Sequence, residues 1–321
     1  MKRCLSCYNT IDGSEIDFHW KCSKKIFGVT PPPELPFSED NLQELATQII
    51  QSQVTVTGVQ PKISLHLPST EHNSQVKRFT VVGMWGGFIL KPPSLHYPQL
   101  PELEDLSMHL ANIARINTVP HSLIRLQSGN LAYITRRIDR LKKSKIHMED
   151  MCQLTGRLTE NKYRGSYEQL AKALMKYSAN PGLDVVNFSE IILFSFLTGN
   201  ADMHFKNFSL IHHPVAGPIL SPFYDLLATV LVNPEDDEEL ALTLNGKKRK
   251  INRNDFVTFF SSFGLERKQQ ENIFSKMVNS KSAWFEFINR SFLSEVMKDD
   301  YKNLIQSRMD KIYPPAVALH N

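Results

Sequence analysis

The sequence has no uninterrupted run of 18 or more apolar residues, so no membrane-spanning helix and no membrane partner are expected. Its opening residues, MKRCLSCYNTIDGSE, start basic but lack an apolar h-region. A standard secretory signal is therefore not expected, and the default address is the cytoplasm. Delivery into another cell by a non-standard route stays open. Net charge is also scarce, at a formal +4. The most basic run, GKKRK at 246–250, follows the acidic PEDDEE at 234–239, which reads as a solvated loop with local charge balance. No basic surface motif interleaved with aromatics accompanies it, so direct nucleic-acid binding is not expected.

Cysteine is rare: there are four. Cys4 and Cys7 have C-x2-C spacing, Cys22 follows with His19 nearby, and Cys152 is remote. Such a set could hold zinc, but His19 and Cys22 form only an imperfect second pair. Reduced, unliganded thiols are the plainer reading. No internal repeat stands out.

What is present is a chain of 321 residues, 41% hydrophobic and 22% charged. That is enough to bury a substantial core, at the size where one core tends to split into two lobes. After the turn-rich GVTPPPELPFSEDN, residues SEDNLQELATQIIQSQ predict a short helix with Ser38 or Asp40 as cap. VTVTGVQPKISLHL and VKRFTVVGMWGGFILKPP carry a strand period, so residues 54–91 should form antiparallel sheet. A helix follows in ELEDLSMHLANIARI, with Leu103, Leu106, Leu110 and Ile113 on its apolar stripe and Glu102 and Glu104 in its first turn. LAYITRRI is another strand. Downstream, a helix at 168–177, one ending near Leu197 and the segments over 254–319 read as mainly helical. The expectation is an α+β, bilobal, protein-kinase-like fold: a sheet-rich small lobe over residues 1–137 and a helix-rich catalytic lobe over 138–321.

The reactive side chains concentrate in GNADMHFKNFSL, directly after the apolar run IILFSFLT. Asp202 and Asn207 are separated by four residues within it, and Asp225 follows the apolar stretch GPILSPFY. Phosphoryl transfer needs a carboxylate to orient or deprotonate the attacking hydroxyl and oxygen ligands that hold magnesium on ATP. Asp202 suits the first role, Asn207 and Asp225 the second. Lys91, at a strand end, offers countercharge for phosphates, and the turn at Gly58 can aim backbone donors at phosphate oxygens.

Through VTGVQPKISLHL, FILKPPS, ITRRIDR, LTGNADMHFKNFSL and SPFYDLLATV, the chain resembles the HipA-like bacterial serine/threonine toxin kinases, in particular the short, stand-alone HipT-like members. The resemblance implies Asp202 as catalytic base, Asn207 and Asp225 as magnesium ligands, and Lys91 as the anchor of the ATP phosphates. It makes Arg136 to Ile138 the hinge that meets adenine and places Thr57, Gly58, Gln60 and Lys62 in the glycine loop. His204 would stand at the nucleotide site, orienting the catalytic loop rather than acting as base. Lys206 could contact the transferring phosphate or be a solvated side chain. Glu104 could pair with Lys91 or serve helix electrostatics, and Asp139 could cap or form a local salt bridge. The lone glycine of VTVTGVQ departs from the G-x-G-x-x-G loop of typical protein kinases. Where the family commonly carries an autophosphorylated serine, this chain has Thr55 and Thr57. Each keeps a hydroxyl for inhibitory self-modification, and each also suits a strand.

The resemblance further implies a protein substrate, an aminoacyl-tRNA synthetase in family members, and control by a separate antitoxin or inhibitory partner. A lipid or small-molecule kinase, or a catalytically silent binding module, are the alternative readings; the intact Lys91, Asp202, Asn207 and Asp225 argue against silence.

Overall fold

A computed structural model describes residues 2–42, 44–45, 62–68, 76–82, 85–94, 96–141 and 144–313. The chain divides into two compact units: residues 1–105 with 119–140 and 290–292, and residues 106–118 with 141–289 and 293–321.

The first unit is built on sheet. Helix α1 (Trp20–Phe27) starts at His19 and ends at a left-handed Gly28, burying Cys22, Ile26 and Phe27. Strands β1 (Ile63–His66), β2 (Thr80–Val81), β3 (Phe88–Lys91), β4 (His121–Arg125) and β5 (Leu131–Arg136) form an antiparallel sheet in the order β2-β1-β3-β5-β4. Strand period thus produces sheet at 63–66, 80–81, 88–91 and 131–136, while residues 54–61, 69–75 and 83–84 lie outside the described residues. Phe27, Phe79 and Phe88 form an edge-on cluster, Phe79 meeting Phe88 at 5.3 Å between centroids. Residues 39–42 and 44–45 are helical, and Ser38 Oγ accepts from the Asn41 N–H at 3.3 Å, so Ser38 is the cap.

Helix α2 (Leu100–Ile113) follows the predicted stripe, with Leu103, Leu106 and Leu110 buried. The division between units passes through it. Glu102 lies in its first turn, but Glu104 is buried, which no surface electrostatic role explains.

The second unit contains small strands β6 (Arg140–Leu141, at the boundary), β7 (Ser144–Lys145) and β8 (Met148–Asp150), then α3 (Met151–Leu154), α4 (Tyr167–Tyr177), α5 (Pro181–Thr198), β9 (Ser209–His213), β10 (Gly217–Leu220), α6 (Thr229–Val232), α7 (Arg253–Ser262), α8 (Arg267–Asn289) and α9 (Glu295–Ile312). Strands β10, β9 and β8 make an antiparallel sheet in that order. The sequence did not flag these strands, because five residues around a short turn carry too little alternation to register.

Helix α5 begins with Pro181 in its first turn, where the missing N–H costs no intrahelical bond. Ile191, Ile192, Leu193, Phe194, Phe196 and Leu197 are all buried, as an all-round apolar helix requires. By length and composition alone it could cross a membrane, yet two thirds of it, 67%, is buried inside the unit, as befits a core helix. It ends at Gly199, φ +71°, where a Cβ would stand 2.5 Å from Leu304 Cδ2. The leucine methyl can yield, so the backbone conformation dominates. Gly199→Ala should cost about 1–2 kcal/mol in urea unfolding; an unchanged midpoint would contradict this account of the turn.

Candidate active site

The turn at Gly199 ends a rigid helix and releases the chain into the loop that carries the reactive residues. Asn200 N–H returns to the Ser195 carbonyl at 2.8 Å, Ala201 N–H donates to Thr229 Oγ1 at 2.8 Å, and Asp202 N–H to Asn200 Oδ1 at 3.1 Å. Tyr167, fully buried on α4, donates to the Met203 carbonyl at 3.1 Å. The Asp202 backbone is therefore held on both sides, while its half-buried side chain accepts from Tyr163 Oη at 2.5 Å. Burial first, then the Asp202 contact, push the Tyr163 phenol well above its ordinary value of 10.0. It stays a donor at neutral pH.

His204 is buried and its ring meets the Tyr163 ring edge-on at 4.8 Å. Its N–H donates to Asn207 Oδ1 at 3.3 Å, and Asn207 N–H returns to the His204 carbonyl at 3.0 Å. His204 and the buried Asn207 thus frame a single 3-10 turn, Phe205–Asn207. Phe205 is anchored by its N–H on the Lys162 carbonyl at 3.2 Å, with the Arg157 guanidinium 4.0 Å from its ring centroid. Lys206 is not simply solvated: its ammonium meets Asp150 at 2.8 Å.

The β9–β10 hairpin carries the chain back from Asn207 to Asp225. Tyr224 Oη lies 2.6 Å from Ser209 Oγ and 3.2 Å from the Lys206 carbonyl, which ties the residue before Asp225 to the residue before Asn207. Asp225, half-buried, adopts φ +57°. Aspartate tolerates this left-handed conformation better than most residues, and strain of this kind clusters at functional sites.

In the sheet unit, Lys91 ends the central strand β3 opposite Tyr133, its ammonium 5.4 Å from that ring's centroid. It is buried and bonded to the Glu104 carboxylate. The pairing left open by the sequence is thereby present. Arg136, exposed, ends β5; Ile138 is half-buried; Lys62 is exposed just before β1. Asp139 holds Arg137 at 2.8 Å and also bonds Arg140; burial raises its carboxyl, but the two guanidiniums bring it below the ordinary carboxylate value. Thr55, Thr57, Gly58 and Gln60 lie outside the described residues. The opposed charge blocks pair locally, Lys248 with Glu238 at 2.9 Å and Arg249 with Asp237 at 2.5 Å.

Tyr163, Asp150 and Tyr167 support the site and went unread in the sequence, while Tyr224 stood in the quoted SPFYDLLATV without a role. Lone tyrosines and a strand-end aspartate have no spacing signature; only the fold shows what they touch.

Family comparison decides the class of protein that owns this loop: the HipA-like C-terminal domain matches residues 54–285. The chain belongs to the HipA-like family. A candidate kinase of Haemophilus influenzae is 27% identical over 310 residues, covering 86% of this chain and 85% of its own. Candidate kinase Y4mE of Sinorhizobium fredii is 31% identical, covering 66% and 51%. The serine/threonine-protein kinase toxin HipA of Shewanella oneidensis is 24% identical, covering 67% and 52%. The chain thus spans about half the length of the last two. Among solved structures, S. oneidensis HipA, determined with HipB and operator DNA, aligns with TM-score 0.67 and 21% identity over 88% of this chain and 73% of that one. The proinflammatory kinase CtkA of Helicobacter pylori aligns with TM-score 0.51 and 14% identity over 70% and 87%. The mixed helix and sheet arrangement of this HipA-like chain is a kinase-like fold.

One consequence concerns pH. Burial, the largest influence in each case, raises the phenols of Tyr8, Tyr167 and Tyr301 well above 10.0. Each keeps its proton in the folded state at a pH where the unfolded chain has lost it. Stability is therefore full below about pH 10 and falls above it, by about 1.4 kcal/mol per pH unit per phenol at the limit. Melting scans between about pH 8 and pH 11 should show a steep alkaline decline, and a flat profile would rule this out.

Proposed function

We infer that this HipA-like chain transfers the γ-phosphoryl group of ATP to a serine or threonine hydroxyl of a protein, with magnesium required. The observation that carries the reading is the braced loop: Asp202 held by Tyr163, and Asn207 and Asp225 linked through the Tyr224–Lys206 contact. Asn207 and Asp225 offer hard oxygen donors, the type magnesium takes together with phosphate oxygens, so the residues fit the ion. Magnesium held there supplies positive charge to the phosphates during transfer. Asp202 accepts the proton as the acceptor oxygen bonds to the γ-phosphorus; the bond to the β–γ bridging oxygen breaks and ADP departs. Lys91, oriented by Glu104, presents its ammonium to the α and β phosphates, and Lys206 contacts the γ-phosphoryl group on exchanging its Asp150 partner. Arg136 to Ile138 border adenine, while Thr57, Gly58, Gln60 and Lys62 cover the phosphates.

Calorimetry with a non-hydrolysable ATP analogue, with and without magnesium, tests the cofactor assignment. Asp225→Asn should remove most of the magnesium-dependent affinity, about 10-fold or more. Equal wild-type binding in both conditions would overturn it.

The acceptor on this reading is an aminoacyl-tRNA synthetase, where an added dianion beside a nucleotide or tRNA phosphate site blocks charging, and hence translation, by repulsion. The chain acts as a toxin restrained by an antitoxin partner or by its own phosphate on Thr55 or Thr57. Labelled γ-phosphate transfer into fractionated lysate identifies the acceptor; labelling confined to lipid or small-molecule fractions would move the protein to another kinase class. Peptide mass mapping after incubation with ATP reads Thr55 and Thr57 directly.

A further inference from the structure

The folded N-terminus gathers side chains that the kinase reading does not use. Cys4, Cys7, His19 and Cys22 each contribute one donor atom, and these atoms all lie within 4.8 Å of one another. Cys7 Sγ is 3.3 Å and Cys22 Sγ 3.9 Å from His19 Nδ1, and the His19 N–H points to Cys4 Sγ at 3.4 Å. A tetrahedral centre with ordinary zinc–sulfur and zinc–nitrogen bonds places sulfur about 3.6 Å from nitrogen. The two observed separations bracket that value.

Local structure explains how an irregular spacing reaches this geometry. Residues 4–9 make a tight turn, with the Tyr8 N–H bonded to the Cys4 carbonyl at 2.9 Å and Tyr8 in the left-handed region, φ +62°. His19 caps α1 and Cys22 lies in its first turn, so a helix start delivers the second pair. The imidazole is also set for Nδ1 ligation, because Nε2 lies 2.9 Å from the Thr10 carbonyl. A carbonyl behind a ligating histidine is the usual outer partner that orients the ring. H-x2-C looked imperfect as a sequence pattern; on a helix start it is competent.

We propose that Cys4, Cys7, His19 and Cys22 form a structural zinc site. Zinc replaces the thiol protons, which pass to solvent, and binds three thiolates and one neutral imidazole, a closed set without an open position for chemistry. Its role follows from what the turn touches. Leu5, between the first two ligands, accepts the Leu123 N–H at 3.3 Å on the sheet's edge strand β4. Tyr8, beside Cys7, donates to Asp105 at 2.7 Å. The metal therefore clamps a loop that covers a sheet edge which would otherwise offer unpaired backbone groups.

The test uses the reduced full-length chain, stripped of metal and titrated with cobalt(II). The expected result is the sulfur-to-cobalt charge-transfer band and the strong visible bands of a tetrahedral thiolate site, bleached by zinc. Zinc content by mass spectrometry should be about one per chain, and Cys22→Ser should weaken zinc binding by more than about 100-fold. Hydrogen exchange across residues 4–22 and β4 should accelerate on stripping and recover with zinc. Wild-type chain that shows no thiolate–cobalt band overturns the proposal whatever the variant does. So does Cys22→Ser protein that keeps the wild-type zinc content and bands.

Discussion

Asp202→Asn should reduce phosphoryl transfer by about 10²–10⁴-fold while leaving affinity for a non-hydrolysable ATP analogue within about threefold of wild type. The amide fills the same space but cannot accept the proton of an attacking hydroxyl. Its absence is therefore felt in the transition state rather than in nucleotide binding. The brace on this residue sharpens the expectation. Tyr163 donates to Asp202 at 2.5 Å, and an asparagine oxygen can still accept that bond, so the loop should keep its shape. Single-turnover transfer with labelled ATP measures the first quantity and calorimetry the second. A variant that transfers at nearly the parent rate would mean that another group takes the proton. A variant that loses both rate and affinity would mean that Asp202 acts on the ground state.

The parts of the fold legible in advance were those written as repeated burial. Leu103, Leu106 and Leu110 announce α2 because three contacts on one face outweigh any single residue's preference. The strand at 131–136 was legible because Ala132, Tyr133 and Ile134 all go into the core of a five-stranded sheet. Asp202, Asn207 and Asp225 could be singled out because acids and amides crowded after an apolar helix have few structural reasons to be there. The structure adds a reason invisible in the letters: a left-handed backbone at Asp225 and a hairpin whose Tyr224 reaches back to Lys206.

Other features were illegible because one spacing serves two physical ends. An acid near the start of a helix answers the macrodipole whether or not a lysine from a distant strand meets it, so Glu104 could not be assigned from position alone. Lys206 could be read either as a phosphate contact or as a solvated side chain because nothing local opposes it; its partner Asp150 comes from 56 residues earlier. The metal-ligand question failed differently. H-x2-C lacks the symmetry of a second C-x2-C, and only the start of α1 shows that the imidazole and thiol turn to one point.

The Lys91–Glu104 pair yields the second large effect. Both side chains are nearly inaccessible, at 6% and 2% relative exposure, so removing either partner strands a charge away from water. Glu104→Ala and Lys91→Met should each cost about 3–5 kcal/mol in urea unfolding. Replacing both, as Lys91→Met with Glu104→Leu, should cost much less than the sum, because two apolar groups leave no charge to desolvate. Binding of the ATP analogue separates structure from function. The double variant regains stability but stays weak in nucleotide binding, since the ammonium assigned to the phosphates is gone. Fully additive stability losses would show that the two residues act independently. A double variant with wild-type affinity would detach Lys91 from the nucleotide and leave the buried pair a structural feature of the sheet unit.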